Sequence, residues 1–137
     1  MLFRSSNSTA INYKSVGVSV TGVVRAITDG EFIITGPMGT NTRIFMGKTV
    51  VLRTESIDFI VSERRHEPRD LGLFTSVGIV PSMKKYLLLK SRLHYRAGFD
   101  PITKHIVECA GNGVASSDFS VFPFKKLKHP IYPLDQF

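Results

Sequence analysis

A lone cysteine and the lack of long apolar runs exclude two classes of protein for this chain of 137 residues. One cysteine, Cys109, cannot form an internal disulfide framework, and we expect it to be a small buried thiol in a reducing compartment. No uninterrupted apolar run approaches the roughly 18 residues of a membrane span, and residues 1–9 lack the apolar centre of a secretory signal. We therefore expect a soluble, cytoplasmic protein.

Acidic residues are scarce, because 11 Asp and Glu stand against 18 Lys and Arg, which leaves a formal net charge of +7. Most of the excess lies beyond residue 60. The basic clusters there are Arg64-Arg65, Lys84-Lys85, Lys90 to Arg96 and Lys125-Lys126-Leu127-Lys128. Such clusters attract phosphates, nucleic acid, an anionic substrate or an acidic partner. For each cluster taken alone, the alternative is an ordinary charged surface that faces the solvent and binds nothing specific.

The spacing of apolar residues predicts one α+β domain over residues 1–137. Its sheet should be mostly antiparallel or mixed and built from hairpins, with two short helices and an extended C-terminal tail. Residues 16–27 and 31–35 are expected to pair as a hairpin around Asp29-Gly30, which supplies positive-φ positions. Residues 49–53 and 57–61 flank a short polar turn and predict a second hairpin.

Beyond residue 68 the pattern changes to short helices and isolated strands. Asp70 is a candidate N-cap for a helix that ends at Gly78. Residues 110–118 are rich in Gly and Ser and predict a loop. The tail over 122–137 contains three prolines and should lie extended. We expect its apolar side chains to anchor it, namely Phe122, Phe124, Ile131, Tyr132 and Leu134.

The most informative stretch runs from an apolar segment into interleaved basic and aromatic residues. Residues 86–89 predict a buried strand, and a helix beginning near Ser91 should bury side chains at helical spacing. Those side chains are Tyr95, Phe99 and Ile102. A last strand is expected over 104–109.

Ser91 is placed to be the N-cap of that helix, and the basic residues around it predict an anion site. Lys90, Arg92 and His94 would add positive charge to the free backbone N–H groups of the first turn. A Ser cap with flanking solvated basic residues is the alternative, because this combination is common.

Seven motifs spread over the chain together resemble the C-terminal domain of the MlrC (microcystinase) family of zinc metallopeptidases. They are Asp29-Gly30-Glu31-Phe32, Thr35-Gly36-Pro37-Met38, Met46-Gly47-Lys48-Thr49, Ser62-Glu63-Arg64-Arg65, and residues 74–81, 90–99 and 125–135. Two positions depart from the family pattern. Glu67 stands where the resemblance implies Gln, and Asn112-Gly113 replaces a Pro-Gly turn.

The resemblance implies a zinc enzyme whose metal is held elsewhere. Family members carry an N-terminal domain that supplies Asp and His ligands to zinc, and this chain does not contain it. The four histidines show no paired spacing, so we expect no metal site in this chain. The implied partner is a metal-binding MlrC-type N-terminal domain or chain. Three explanations fit a chain that resembles only the C-terminal domain. It could be a fragment of a longer hydrolase, a separate subunit, or a remnant kept for binding.

The resemblance also implies that the motif from Lys90 to Phe99 faces the metal domain and contacts substrate. Lys90 or Arg96 could hold a substrate carboxylate or stabilise developing negative charge, with Ser91 beside them, and His94 could hydrogen-bond or shuttle a proton. A structural imidazole is the alternative for His94. No residue is assigned as catalytic.

Arg64 and Arg65 could reach the same cleft, or simply pair with Glu63 and Glu67. An apolar surface left uncovered where the metal domain belongs would drive homo-oligomerisation. The rival function is a nucleic-acid- or anion-binding module without catalysis. It is disfavoured, because the aromatics among the basic residues sit at core-facing spacing and no nucleic-acid motif is present.

Overall fold

The computed structural model describes residues 2–3, 18–109 and 118–136. The strands are β1 (Leu2–Phe3), β2 (Val18–Ser19), β3 (Val23–Thr28), β4 (Glu31–Ile33), β5 (Arg43–Phe45), β6 (Thr49–Arg53) and β7 (Asp58–Ser62). The helices are α1 (Gly72–Thr75) and α2 (Arg96–Phe99), with 3₁₀ turns at Pro81–Met83, Asp100–Ile102 and Phe119–Val121. Antiparallel sheets with two short helices confirm the predicted α+β class.

The chain divides into two compact units. One comprises Ser19–Ile106, and the other combines Leu2–Val18 with Val107–Phe137. The prediction of one domain over residues 1–137 therefore stays a prediction. No helix within the described ranges is long and apolar enough to cross a membrane.

The first unit is organised around β6, which pairs antiparallel with β3 on one side and with β7 on the other. The second predicted hairpin is thus confirmed as β6–β7. Its turn is closed locally, because Thr54 N–H donates to the Ile57 carbonyl at 2.9 Å. The register of β3 against β6 shifts between Val24 and Ala26, which indicates a bulge.

The hairpin predicted around Asp29-Gly30 was wrong, because β3 and β4 belong to different sheets and β4 pairs with β5. Side chains shape this corner. Thr28 Oγ1 accepts the Gly30 N–H at 3.2 Å, and Asp29 Oδ1 accepts the Glu31 N–H at 3.1 Å. Gly30 has φ +71°, and a Cβ there would lie 2.4 Å from the Gly47 carbonyl oxygen. Residues 28–31 therefore form a turn that leads the chain from the sheet containing β3 into the sheet of β4 and β5.

The core of this unit lies between the three-stranded sheet and α1. Buried Val51, Val77 and Ile79 form a cluster, and partly buried Ala26, Ile60 and Phe74 pack against it. Phe99 from α2 is 1 % exposed and meets the Phe74 ring edge-on at 5.7 Å between centroids. Burial of Tyr95 and Phe99 confirms the predicted apolar spacing of this segment.

Two predicted strands are absent from the structure. Residues 86–89 and 104–109 form no strand, and Lys104 lies in a bend. Side chains that the sequence predicts to be buried are exposed there, with Leu88 97 % and Val107 84 % accessible. Cys109 is likewise exposed rather than buried. A strand needs a neighbour to satisfy its backbone, and the described residues supply none here.

In the second unit, the tail over residues 129–135 is held by hydrogen bonds between residues close in sequence. His129 Nδ1 lies 2.7 Å from Asp135 Oδ2, which also accepts the Ile131 N–H at 2.6 Å. Tyr132 is 81 % exposed, so its predicted anchoring role was wrong, whereas Leu134 is half-buried. The loop predicted over 110–118 lies, apart from its last residue, outside the described residues.

Candidate substrate-side site

Glu67 brings together two of the residues that the sequence predicts as site residues. Its Oε1 accepts the Ser91 hydroxyl at 2.5 Å, and its Oε2 lies 2.8 Å from His94 Nδ1. We call Glu67, Ser91 and His94 the Glu67 cluster. The His94 and Glu67 side chains are 49 % and 40 % exposed, so the cluster is open to a partner or a substrate.

The contact with Glu67 determines which ring nitrogen of His94 is available to other molecules. Hydrogen bonds from Ser91, and next from His94, hold the pKa of the Glu67 carboxyl below its usual range, so Glu67 is ionised at neutral pH. An ionised carboxylate only accepts hydrogen bonds, and Nδ1 of His94 therefore carries the proton. Whenever the ring is neutral, Nε2 keeps a free lone pair for another group.

Ser91 also joins the cluster to the buried part of the unit. Its Oγ accepts the backbone N–H of Tyr95 at 3.2 Å, and the Tyr95 and Phe99 rings are buried. The expected helix start near Ser91 was wrong, because α2 begins at Arg96 and residues 92–95 form turns. Ser91 nevertheless satisfies a backbone donor just before the helix, which is the task predicted for its hydroxyl.

Asp70 fixes the segment that carries Glu67. This carboxylate is 2 % exposed, and it accepts the Gly72 N–H and the Gly36 N–H, each at 2.7 Å. The N-cap of α1 is Leu71 and the helix ends at Thr75, so the predicted N-cap at Asp70 and helix end at Gly78 were wrong. Asp70 nevertheless binds the N–H of Gly72, the first residue of the helix. On the other side, a Cβ on Gly98 would lie 2.7 Å from the Arg69 carbonyl oxygen. Helix α2 therefore approaches the 69–70 backbone closely, which keeps Glu67 within reach of His94.

Lys90 and Arg96 flank the cluster along the chain. Lys90 is exposed directly before Ser91. The Arg96 guanidinium lies over the Tyr95 ring at 5.3 Å, and one of its nitrogens is 3.9 Å from Asp100.

Arg64 and Arg65 are exposed at the end of β7. The Arg64 guanidinium stacks on the Phe45 ring at 4.5 Å, so this arginine packs on β5. The Glu67 carboxylate bonds Ser91 and His94, and the pairing of Arg64 and Arg65 with Glu63 and Glu67 stays a prediction.

Glu67 is the member of the cluster that sequence reasoning missed as a site residue. The signal was the position where the family resemblance implies Gln. Both side chains offer an oxygen that accepts a hydrogen bond at the same distance from the backbone. An oxygen that accepts a hydrogen bond is therefore expected at position 67 with either residue. This expectation would have indicated a donor nearby, such as the His94 ring.

His66 lies next to the cluster but points elsewhere. Its ring meets Phe32 edge-on at 5.8 Å, and its Nε2 is buried with no hydrogen-bond partner. Burial lowers the pKa of His66, with the Arg69 charge as the next cause. His66 is therefore a neutral, structural imidazole, in contrast to the exposed His94.

Within the described ranges, no group of three or more His, Cys, Asp and Glu side chains is arranged to hold a metal ion. The Glu67 cluster can accept or donate a hydrogen bond and carry a proton. It offers Nε2 of His94 but no set of converging ligands for zinc.

The fold and the cluster define an α+β domain that displays a carboxylate-held imidazole on its surface. The sequence model of the family described as MlrC C-terminus matches residues 8–126, and the chain belongs to this family. The chain is 28 % identical over 90 residues to Microcystinase C of Sphingomonas sp. That match covers 66 % of the chain and 17 % of the relative, so the chain corresponds to a minor part of that protein.

Proposed function

We propose that this chain is the substrate-side domain of an MlrC-like zinc metallopeptidase or amidohydrolase and is inactive without a metal-binding partner domain or chain. Membership of the MlrC C-terminus family supports this proposal. So does the position of His94 and Ser91 within the segment 90–99, one of the motifs on which the resemblance to the family rests. Zinc, held by the partner, would polarise the scissile carbonyl and activate water.

The observation that carries the proposal is the 2.8 Å contact between His94 Nδ1 and Glu67. It leaves Nε2 to accept a substrate N–H or to take up a proton and return it to the leaving amine. Lys90 adds a positive charge beside this imidazole for a substrate carboxylate or an oxyanion. Hydrogen bonds to Glu67 hold the imidazole in one orientation, which reduces the entropy cost of productive binding.

The test measures zinc content and hydrolysis of a library of short linear peptides. It uses the chain alone and mixed with the part of Microcystinase C outside the matched segment. We expect zinc and hydrolysis in the mixture and neither in the chain alone. His94→Gln should lower kcat/KM of the mixture about 10²-fold. His105→Gln, an exposed histidine outside the cluster, is the matched control and should leave kcat/KM unchanged.

Two results would overturn the proposal. Stoichiometric zinc with hydrolysis by the chain alone would show a self-contained enzyme. Full activity of the His94→Gln mixture would show that the imidazole is structural. Absence of hydrolysis from every mixture would leave a role in binding only.

The rival nucleic-acid module finds little support at the basic segment. Tyr95 and Phe99 are buried, so they offer no platform on which bases could stack. Binding of DNA or RNA that weakens steeply with salt would revive this function.

A further inference from the structure

His66 lies where the chain, exposed over residues 63–65, packs again on the first unit. Its ring meets the Phe32 ring of β4 edge-on at 5.8 Å between centroids, and its Nε2 is buried. No described residue gives that nitrogen a hydrogen-bond partner. This place suits a neutral ring, because both ring nitrogens of an imidazolium carry N–H groups that need acceptors.

The ring against which His66 packs has little room to move. Phe32 lies against helix α1 so closely that a Cβ on Gly72 would overlap its ring. Close-packed side chains leave no space for the water that a new charge requires. A proton on His66 would therefore displace the ring from Phe32 instead of being solvated in place.

Among the described residues, the charges that act on His66 do not compensate a proton on its ring. Arg69 adds a positive charge from the same segment, whereas Glu67 and Asp70 add negative charge. Each of these carboxylates already accepts two hydrogen bonds from other groups. Burial, and next the Arg69 charge, lower the pKa of His66 and outweigh the two carboxylates.

Strand β4 contributes an uncharged group to this contact, the Phe32 ring. Its acidic residue Glu31 lies on the opposite face, because side chains alternate along a strand. Glu31 is paired with Arg43 at 2.6 Å. The charges that govern protonation of His66 therefore belong to its own segment.

The position of His66 in the chain couples it to the Glu67 cluster. His66 precedes Glu67 directly, and Pro68 and Asp70 on the other side are buried. Proline also restricts the backbone of the residue before it. Glu67 is thus held by Pro68 on one side and by the packed His66 ring on the other. Displacement of that ring removes one of the two supports.

We propose that His66 is an acid-sensitive switch, which holds Glu67 on His94 when its ring is neutral and releases the His94 imidazole when its ring takes up a proton. The inference goes beyond the proposed function, because it concerns the Glu67 cluster of the chain by itself. Since the folded pKa of His66 lies below the unfolded value of about 6.5, the packed ring stabilises fully above that pH. Its contribution is lost as the pH falls through the folded pKa.

The experiment is an NMR titration of the full chain from about pH 7.5 to about pH 4.5, the interval around an ordinary imidazole pKa. It follows the ring signals of His66 and the amide signals of Glu67 and Ser91. We expect His66 to titrate below about 6.5 and both amides to show a step with the same midpoint. His94→Gln removes any step caused by the His94 charge and should retain this one.

His66→Phe keeps an aromatic ring against Phe32 but cannot take up a proton. It should abolish the amide step. The unfolding equilibrium constant of the unmodified chain should rise below about pH 6.5 by at most about tenfold per pH unit, the limit for one proton. In His66→Phe it should rise less. His105→Phe, at an exposed histidine, is the matched control and should leave both readouts unchanged.

Circular dichroism checks that His66→Phe is folded, and His66→Gln, which also cannot be protonated, takes its place if it is not. A His66 midpoint at or above about 6.5 would overturn the inference. Titration of His66 without a step at Glu67 and Ser91 would overturn it too, as would a step that persists in the variant. Each readout is independent of zinc and of hydrolysis, so the inference and the proposed function can fail separately.

Discussion

At the scale of single residues, Glu67 and Asp70 show how burial separates two carboxylates only three positions apart. Asp70 is buried and accepts two backbone N–H groups, so its task is to hold the chain. Glu67 is 40 % exposed and accepts from two side chains, Ser91 and His94. Asp70 therefore holds the backbone in place, whereas Glu67 orients the exposed imidazole of His94.

Replacing Glu67 should affect reactivity more than stability. Glu67→Ala removes the acceptor for His94 and Ser91, so the imidazole loses its orientation, and kcat/KM of the metal-containing mixture should fall about tenfold or more. Glu67→Gln keeps an acceptor oxygen and should retain most of the activity. Steady-state kinetics with thermal unfolding in parallel measures both. Equal activity of Glu67→Ala and the unmodified chain would contradict the positioning role.

Replacing Asp70 should have the opposite effect. Asp70→Ala leaves the Gly36 and Gly72 N–H groups without a partner in a buried place, which should lower the free energy of unfolding by about 2–4 kcal/mol. Urea denaturation measures this change. Asp29→Ala is the control, because Asp29 is exposed and accepts one N–H at 3.1 Å. A loss for Asp70→Ala no larger than the control's would refute the supporting role.

At the scale of elements, an ion-pair network joins the β6–β7 hairpin to the turn at Pro81–Met83. Asp58 Oδ1 lies 2.6 Å from Arg53 Nε, and Asp58 Oδ2 lies 2.6 Å from Lys84 Nζ. The Asp58 side chain is 9 % exposed. The hydrogen bond from Arg53, and next that from Lys84, holds the pKa of the Asp58 carboxyl well below its usual range.

The depressed pKa predicts a pH dependence of stability with a definite sign. Since the folded pKa lies below the unfolded value of about 3.9, the network stabilises fully above that value. Its contribution disappears as the pH falls through the range below it. Asp58→Asn should cost about 1 kcal/mol near pH 7, a modest value because Arg53 and Lys84 are partly solvated. Unfolding at a series of pH values should show the variant and the unmodified chain converging in acid; a constant difference would disprove the linkage.

At the scale of the whole molecule, the formal charge of +7 becomes relevant to association. Part of that charge lies at Lys84, Lys85 and Lys90. Like charges keep copies of the chain apart, whereas an acidic partner surface is attracted to them.

This distribution predicts salt-sensitive assembly. Raising NaCl from about 50 mM to about 500 mM should weaken the complex with the part of Microcystinase C outside the matched segment several-fold, because salt screens the attraction between these lysines and acidic groups of the partner. Titration calorimetry at a series of salt concentrations measures the dependence. Lys85→Gln should reduce the dependence of the affinity on salt concentration, and an affinity independent of salt would contradict an acidic partner surface.

Sequence reasoning succeeded where the determining interactions are local. The β6–β7 hairpin follows from two apolar runs and a polar turn closed within the loop by Thr54 and Ile57. The hydrogen bond from the Gly72 N–H to Asp70 is also local, although the N-cap of α1 is Leu71 and not Asp70. Burial of Tyr95 and Phe99 follows from a helical repeat that aligns their side chains on one face.

The sequence by itself thus determined the α+β class, the local turns, and the family to which the chain belongs. The tertiary structure alone decided the partners across long separations in the chain. It paired β3 with β6 instead of β4, and joined Glu67 to His94. It also shows no strand at 86–89 and no backbone partner for that segment among the described residues. The physical reason is that a short-range pattern encodes the conformation of a segment, whereas its hydrogen-bond partners depend on which other segments fold against it.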